Sequence, residues 1–291
     1  MRMILVHGIS QEGKSTQKIL DEWLPFLRTA FATRTANPLD RLTRIDAAFY
    51  GDRLAQLSSV KVHDQAIALG AEEATDDFGD FALDALREMA LRMGATQAQI
   101  EAEAAQTVGS QGAGAHKAWL KAIARVIETI SPLHGVLALR VLGQAHAYIR
   151  NQHVHDEVNK LVRPLFEDDE PVIVVSHSLG TIVAYSLLRE FARNNRPCNV
   201  PLFVTLGSPL GIDSVRKGFP KPRTKPDNVL RWVNGADPED FVALRSELTS
   251  ENFGPGIENY PDIHNSYENR HAISGYLSDP RITQAIERSI A

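Results

Sequence analysis

Short runs of apolar residues alternate along much of this chain with longer segments in which apolar residues recur at helical spacing. The apolar runs predict strands that are buried on both faces, as in a parallel sheet, and the periodic segments predict helices. The predicted strands cover residues 2–7, 45–50, 171–175, 201–206 and 229–234, and the clearest predicted helices cover 15–32, 181–193 and 273–290. The pattern therefore predicts an α/β fold with a mostly parallel central sheet flanked by helices.

Residues 53–165 interrupt this alternation. They are rich in Ala, Leu, Gln and charged residues, they carry no strong strand signal, and they predict several helices. Breaks between these helices are expected at Gly94, at Gly109-Ser110, at residues 112–114 and at Pro132. A helical insertion between two strands would lie above their carboxyl ends, where it would form either a cap or lid over the site or, equally, a packing extension or a dimer surface. We expect a single domain over residues 1–291 that includes this insertion.

The segment with the clearest chemistry is residues 171–180, Pro-Val-Ile-Val-Val-Ser-His-Ser-Leu-Gly. Its apolar run ends at a Ser-x-Ser-x-Gly pentapeptide, and a helical pattern follows. A strand, a tight turn and a helix with a serine at the apex are typical of a nucleophile elbow. Ser176 and Gly180 are small, as the sharp turn requires, although the usual residue at the first of these positions is glycine. Ser178 is therefore the candidate nucleophile.

Residues 8–15 allow two interpretations. They read Gly-Ile-Ser-Gln-Glu-Gly-Lys-Ser and match the phosphate-binding pattern G-x-x-x-x-G-K-[ST] between a predicted strand and a predicted helix. In a P-loop of this kind, from Gly8 to Ser15, Lys14 would reach the terminal phosphate and Ser15 would hold magnesium. A nucleotide hydrolase also needs a second strand that ends in an acidic residue, and no other predicted strand here ends directly in Asp or Glu. A P-loop nucleotide-binding enzyme is therefore the less favoured alternative.

The second interpretation assigns the same segment to an oxyanion hole. His7-Gly8 follows directly after a predicted strand, where elbow hydrolases place a loop whose backbone N–H faces the developing negative charge. The expected donors are the backbone N–H groups of Ile9 and of Leu179, which follows the candidate nucleophile.

The candidate acid lies beyond the elbow, because elbow hydrolases carry their triad in the chain order Ser, acid, His. The loop after the predicted strand 229–234 offers Asp237, Glu239 and Asp240. We favour Asp240, since Asp-x-Val entering a helix would place the carboxylate beside the loop. Asp237 remains the alternative acid.

The candidate base is one of the two histidines that follow this acid, His264 and His271. His271 precedes an amphipathic helix start and is favoured, because a loop that leads into the closing helix can bring a base over the elbow; His264 in a polar loop is the alternative. His153 and His155 beside Asp156 do not predict a metal site, since residues two apart do not share a helix face.

The composition narrows the function classes. The chain has 291 residues, of which 43% are hydrophobic, and a net charge of −5, which argues against a nucleic-acid-binding surface. No apolar run approaches the roughly 20 residues of a transmembrane segment, and the first residues lack a signal-peptide pattern. The single cysteine, Cys198, excludes an internal disulfide and suits a reducing compartment. We therefore expect a cytoplasmic protein.

Several short blocks together carry a family resemblance. They are Val6-His-Gly-Ile9, Phe49-Tyr-Gly-Asp52, Ser176 to Gly180, Thr205-Leu-Gly-Ser-Pro209, Trp232-Val-Asn, Asp240-Phe-Val and His271-Ala-Ile-Ser-Gly-Tyr-Leu277. With these blocks the chain resembles serine hydrolases of the α/β-hydrolase fold, and is similar to bacterial lipase-like or esterase-like members. The blocks span most of the chain except residues 53–165.

The resemblance implies a set of roles. Ser178 would be the nucleophile, His271 the base, an aspartate of residues 237–240 the acid, and the Ile9 and Leu179 amides the oxyanion donors. The implied reaction is hydrolysis of a small-molecule ester or other acyl substrate through an acyl-enzyme intermediate, with no metal and no organic cofactor. A binding protein that keeps the fold without catalysis is a further alternative.

Overall fold

The computed structural model describes residues 1–58, 76–111, 115–130, 134–266 and 268–290. The chain divides into two compact units. The first, here called the sheet unit, comprises Met1–Arg53, Asp156–Gly211 and Pro220–Ala291. The second, here called the helical unit, comprises Leu54–His155 and Ile212–Phe219.

A six-stranded sheet forms the centre of the sheet unit. Its strands are β1 (Arg2–Val6), β2 (Ile45–Ala48), β3 (Val172–His177), β4 (Val200–Leu206), β5 (Val229–Gly235) and β6 (Ile257–Tyr260). They lie in the order β2-β1-β3-β4-β5-β6, and every neighbouring pair is parallel. The predicted α/β fold with a parallel sheet and helices is therefore confirmed.

The described helices are, in chain order, α1 (Thr16–Ala30), α2 (Gly51–Leu57), α3 (Asp76–Arg92), α4 (Gln97–Gln111), α5 (Ala115–Ile130), α6 (His134–Arg150), α7 (Gln152–Val162), α8 (Leu179–Arg193), α9 (Asp213–Lys217), α10 (Ile273–Ser278) and α11 (Pro280–Ile290). Short 3₁₀ turns occur at Pro38–Arg41, Arg163–Leu165 and Pro209–Gly211. None of the helices in this described part of the chain is long and apolar enough to cross a membrane.

Helix α1 shows how the sequence builds the core of the sheet unit. Ser15 caps its first turn by accepting a hydrogen bond from the Lys18 amide. Ile19, Trp23 and Leu27 recur at intervals of four, so they share one face of the helix, and all three are buried in the cluster that contains the sheet residues. Replacing Leu27 with alanine should cost about 2–5 kcal/mol of stability, because it leaves a cavity in this cluster.

Helices α3, α4, α5 and α6 form the helical unit by packing against one another. Their buried faces carry aliphatic side chains, among them Leu86, Met89, Ile100, Ile123 and Val141. Helix α9 also contacts α3, where the Asp213 amide donates to a Glu88 carboxylate oxygen at 3.2 Å. The prediction of several helices between two sheet strands is confirmed for the described residues.

Some predicted boundaries differ from the structure. The break at Gly94 is confirmed, since α3 ends at Arg92 and Gly94 has φ +93°. The break at Gly109-Ser110 is wrong, because α4 continues to Gln111. The predicted breaks at residues 112–114 and Pro132 lie outside the described residues. The predicted helix 273–290 consists of α10 and α11, which meet at Asp279-Pro280 because the residue before a proline disfavours helical backbone.

Candidate active site

The candidate site lies where the strand order of the sheet reverses. From β1 the sheet extends to β2 on one side and to β3 on the other, and open α/β sheets bind ligands at the carboxyl ends of strands at such a point. Val6 of β1 is paired in register with Ser176 of β3. The loop that begins at His7 and the turn that contains Ser178 therefore emerge side by side.

Ser178 occupies a strained turn between β3 and α8. Its backbone has φ 53° and ψ −129°, a region that residues other than glycine rarely adopt and that costs on the order of 1–3 kcal/mol. The Ser178 amide donates to the Leu206 carbonyl at 2.9 Å, which holds the turn against β4. The Oγ atom is buried and has no hydrogen-bond partner among the described residues. Leu179 begins α8, so its amide belongs to the helix turn that has no intrahelical acceptor.

Two glycines let the loop after β1 approach this turn. A Cβ on Gly8 would lie 2.6 Å from Ser178 Cβ, and a Cβ on Gly180 would lie 2.8 Å from the Val6 carbonyl carbon and closer still to the Val6 oxygen. Both positions therefore exclude a side chain. At the position where the elbow usually has glycine, Ser176 is buried and its Oγ donates to the Val204 carbonyl at 2.8 Å, so this hydroxyl has a partner within the sheet.

His7 fixes the loop that follows β1. Its Nδ1–H donates to the Gly8 carbonyl at 2.7 Å, and its Nε2 accepts from the Tyr50 amide at 3.2 Å. Burial lowers the pKa of His7 to about 4, so at neutral pH the ring is uncharged and offers the one donor and one acceptor that these bonds require. The Tyr50 ring stacks on His7 at a centroid distance of 4.2 Å, and its hydroxyl donates to the His7 carbonyl. The Ile9 amide forms no hydrogen bond with another described residue.

Asp240 lies in the loop after β5 and contacts His271 directly. Its Oδ2 accepts from His271 Nδ1–H at 2.7 Å, and its Oδ1 accepts from the Val242 amide at 2.9 Å and from the Ala243 amide at 3.4 Å. Burial alone raises the pKa of Asp240, but the charge and hydrogen bond of His271 and the other donors outweigh burial and lower it. The carboxylate is therefore ionised at neutral pH. The predicted helix after Asp240 is wrong, because residues 241–246 are not helical.

Asp237, the alternative acid, has other partners. Its Oδ1 accepts from the Glu239 amide at 2.8 Å and its Oδ2 accepts from the Asn265 amide at 2.7 Å. Arg270 lies 3.7 Å from the same carboxylate. Asp237 therefore ties two loops together, whereas Asp240 is the aspartate that the structure brings to His271.

The loop before α10 holds His271 in place. The His271 amide donates to Asn269 Oδ1 at 3.1 Å, and its carbonyl accepts from His177 Nε2–H at 2.9 Å. Gly207, with φ +54°, passes so close that a Cβ there would lie 3.1 Å from the His271 ring. His264, the alternative base, is exposed and forms no hydrogen bond with another described residue.

This geometry makes His271 a potential general base. Because Nδ1 carries the proton that is donated to Asp240, the lone pair of the neutral ring is on Nε2. Nε2 is buried and, like Ser178 Oγ, has no partner among the described residues, and no hydrogen bond joins these two atoms. The structure thus brings Asp240 and His271 together, and it places Ser178 directly after His177, whose ring lies against His271 at a centroid distance of 4.6 Å.

The groups that would bind phosphate in a P-loop already have protein partners. The Gly13 amide donates to Asp52 Oδ1 at 2.7 Å, and Lys14 Nζ pairs with Glu22 at 2.6 Å. Ser15 Oγ accepts the α1 capping bond from the Lys18 amide at 3.2 Å. Carboxylates that lie on the first two groups would repel a phosphate, so this geometry disfavours nucleotide binding. In the described parts of the chain, no cluster of three or more His, Cys, Asp or Glu could hold a metal ion.

Three further contributors to the site were not predicted as site residues, although Tyr50 and Tyr276 lie in two of the blocks that carry the resemblance. Tyr276 donates its hydroxyl proton to Asp240 Oδ2 at 2.6 Å. Asn265 Nδ2 donates to the carbonyls on both sides of His271, those of Arg270 at 3.1 Å and Ala272 at 2.5 Å. Tyr50 positions His7, as described above.

Comparison with protein-family models, with curated proteins and with solved structures finds no match to this chain.

Proposed function

We propose that this protein is a serine hydrolase of the α/β-hydrolase fold, similar to lipases and esterases, that cleaves a carboxylic ester through Ser178, His271 and Asp240. The observation that carries the proposal is the 2.7 Å hydrogen bond between His271 Nδ1 and Asp240 Oδ2, which leaves His271 Nε2 as an acceptor beside the elbow. The supporting chain order, with Ser178 after β3, Asp240 after β5 and His271 after β6, is that of elbow hydrolases.

The first half of the reaction acylates the serine. His271 Nε2 takes the Ser178 proton as Oγ attacks the carbonyl carbon of the ester, and Asp240 stabilises the resulting imidazolium. The negative charge on the carbonyl oxygen is stabilised by the N–H groups of Ile9 and Leu179. His271 then gives its proton to the departing alkoxide, which leaves as an alcohol.

The second half returns the enzyme to its starting state. Water attacks the Ser178 ester while His271 Nε2 takes one water proton, and the same two amides again stabilise the oxyanion. The intermediate then collapses to release the carboxylic acid, and the proton returns from His271 to Ser178. Every proton transfer uses residues of this chain.

The free thiol of Cys198 is buried and suits a reducing compartment, so we propose the cytoplasm as the location.

Turnover of p-nitrophenyl acetate, butyrate and octanoate tests the reaction class, and labelling with a fluorophosphonate tests the nucleophile. Ser178→Ala should lose about 10⁴–10⁶-fold in kcat and all labelling. The matched control is Ser214→Ala, since Ser214 is also a buried serine whose Oγ has no hydrogen-bond partner among the described residues but lies in the helical unit; it should keep both activities. Equal turnover in Ser178→Ala and wild type would reject the serine mechanism. A folded wild-type protein that is neither labelled nor active would instead support the non-catalytic binding protein.

A further inference from the structure

The hydroxyl of Tyr276 connects both aspartates of the loop after β5. Tyr276 belongs to α10, five residues beyond His271, and its side chain is buried. The hydroxyl oxygen lies 2.6 Å from Asp240 Oδ2 and 3.1 Å from the backbone nitrogen of Asp237. A single phenol thus contacts the carboxylate that pairs with His271 and the backbone of the residue that ties the neighbouring loops together.

The direction of the hydroxyl proton follows from these two partners. The Asp237 backbone group is an N–H, so it can only donate, and the hydroxyl oxygen accepts from it. The ionised Asp240 carboxylate can only accept, so the Tyr276 proton points to Oδ2. Burial and the nearby Asp240 charge raise the pKa of Tyr276 well above its ordinary value, so the phenol keeps its proton at every pH at which the protein would act.

Tyr276 also completes the set of donors around Asp240. Oδ2 accepts hydrogen bonds from His271 Nδ1–H and from the Tyr276 hydroxyl, and Oδ1 accepts hydrogen bonds from the Val242 and Ala243 amides. Each oxygen therefore accepts two hydrogen bonds, which stabilise negative charge on a buried carboxylate. Because Tyr276 and His271 donate to the same oxygen, the Tyr276 hydrogen bond reduces the negative charge on Oδ2 that stabilises a protonated imidazole ring of His271.

We propose that Tyr276 is a positioning residue that fixes the Asp240 carboxylate against His271 and limits how strongly this carboxylate holds an added proton on the imidazole ring. The proposal rests on the function proposed above only for its kinetic consequence. It deepens that function by assigning to a buried phenol the placement and charge distribution of the carboxylate that faces His271.

The other titratable groups around the pair define the background against which Tyr276 acts. His177 of β3 lies against the His271 ring and donates to its carbonyl. Arg270 precedes His271 in the chain and pairs with Asp237 and with Glu239. None of these groups donates to Asp240 Oδ2, so the effect of the phenol can be separated from theirs by substitution at Tyr276 alone.

The test is Tyr276→Phe in the full chain, with kcat/KM measured from pH 5 to pH 9. Without the phenol proton, Asp240 stabilises the imidazolium of His271 more strongly, so a higher pH is needed to free the base. We expect the acid limb of the profile to move up by roughly 0.5–1 pH unit, as is typical for the loss of one hydrogen bond to an ionised group. The matched control is Tyr185→Phe, which removes another buried hydroxyl, one that donates to the Thr224 carbonyl at 3.3 Å, and should leave the limb in place.

Substitution of Tyr276 with 3-fluorotyrosine gives a second variant that keeps the hydroxyl and nearly the same volume. Its more acidic phenol donates more strongly, so the acid limb should move to lower pH, opposite to the shift in Tyr276→Phe. A purely structural role predicts lower stability in either variant without opposite shifts. This variant also decides the question if Tyr276→Phe does not fold.

A histidine ring NMR titration separates this inference from the proposed function. The signals of the Asp240–His271 pair, assigned with His271→Gln, should titrate at a higher pH in Tyr276→Phe than in wild type, whether or not any ester is hydrolysed. Identical titrations in wild type and both variants would overturn the role of Tyr276 and leave the serine mechanism standing. A shifted titration in a protein without Ser178-dependent turnover would support Tyr276 and reject the mechanism.

Discussion

The ring of His177 packs against the ring of His271 and donates a hydrogen bond to the His271 backbone. The ring centroids lie 4.6 Å apart at an interplanar angle of 35°, and His177 Nε2–H donates to the His271 carbonyl at 2.9 Å. Burial and the neighbouring His271 lower the pKa of His177 to about 3. An uncharged His177 can therefore lie beside a ring that would gain a positive charge in the proposed mechanism.

His177 and His7 should make the protein less stable as the pH falls. Their ordinary pKa is 6.5, whereas in the fold it is about 3 for His177 and about 4 for His7. Between these values the unfolded chain binds more protons than the folded protein, so stability is lost from pH 6.5 downwards. Each ring should cost about 2 kcal/mol at pH 5 relative to pH 8. Asp240, whose pKa is lowered, adds its own loss only at still lower pH.

Urea unfolding at pH 8 and pH 5 measures this effect. His177→Gln keeps a side-chain N–H for the His271 carbonyl but cannot titrate, so the difference in unfolding free energy between the two pH values should shrink by about 2 kcal/mol. His264→Gln, the same substitution at an exposed histidine, is the matched control. An equal pH dependence in wild type and His177→Gln would contradict the assigned protonation state.

The two aspartates of the loop after β5 should fail in different ways when each becomes asparagine. Asp240→Asn removes the charge that orients and stabilises His271, so kcat should fall by about 10³–10⁴-fold with the serine still present. Asp237→Asn keeps an oxygen acceptor for one of its two amide partners, Glu239 or Asn265, and should lower stability by about 1–3 kcal/mol with kcat reduced less than tenfold. Ester turnover and urea unfolding on both variants measure the contrast; a larger loss of kcat in Asp237→Asn would reverse the assignment.

Much of the sheet unit could be predicted from the sequence, because β1, β3 and β4 are nearly continuous apolar runs, which are typical of a buried parallel sheet. Strand β6 was not predicted, because it lacks such an apolar run. Its sequence, Ile-Glu-Asn-Tyr, is half polar, and it lies at the edge of the sheet beside β5, where burial on both faces is not required.

The site was predictable where chain order and local turn chemistry decide it, and unresolved where tertiary contacts decide it. Ser178 follows from the small residues around a strand-turn-helix junction. Asp237 and Asp240 lie three residues apart in one loop, so the sequence does not show which of them contacts His271. In the structure the Asn265 amide donates to Asp237, and His271 donates to Asp240. Tyr276 lies in the block of residues 271–277 that carries the resemblance, but the block predicts no role for it, because its hydroxyl contacts Asp240 only through the packing of α10.

Magnesium and ATP should not stabilise the protein, although residues 8–15 match a phosphate-binding pattern. The Gly13 amide and the Lys14 ammonium are engaged by Asp52 and Glu22, and a triphosphate would have to displace both carboxylates. Thermal unfolding with and without 5 mM ATP and magnesium should give the same Tm. A rise of several degrees that disappears in Lys14→Ala would revive the nucleotide-binding hypothesis.

A single added methyl group at Gly8 should lower kcat far more than the loss of stability alone would explain. A Cβ there would lie 2.6 Å from Ser178 Cβ and 3.1 Å from its Oγ, so Gly8→Ala must push the loop after β1, the proposed oxyanion loop, away from Ser178. Loss of one oxyanion donor typically costs about 10²–10³-fold in kcat, and we expect a loss of at least this size.

The matched control for Gly8→Ala is Gly94→Ala in the helical unit. Gly94 has φ +93° with nothing within 4 Å of an added Cβ, so alanine there should cost on the order of 1–2 kcal/mol of stability through backbone strain alone and leave ester turnover intact. Urea unfolding and kcat on both variants give the comparison. If Gly8→Ala loses stability but keeps kcat, the loop after β1 does not supply the oxyanion donor; if kcat falls while fluorophosphonate labelling of Ser178 persists, the serine remains reactive and the defect lies in stabilising the oxyanion.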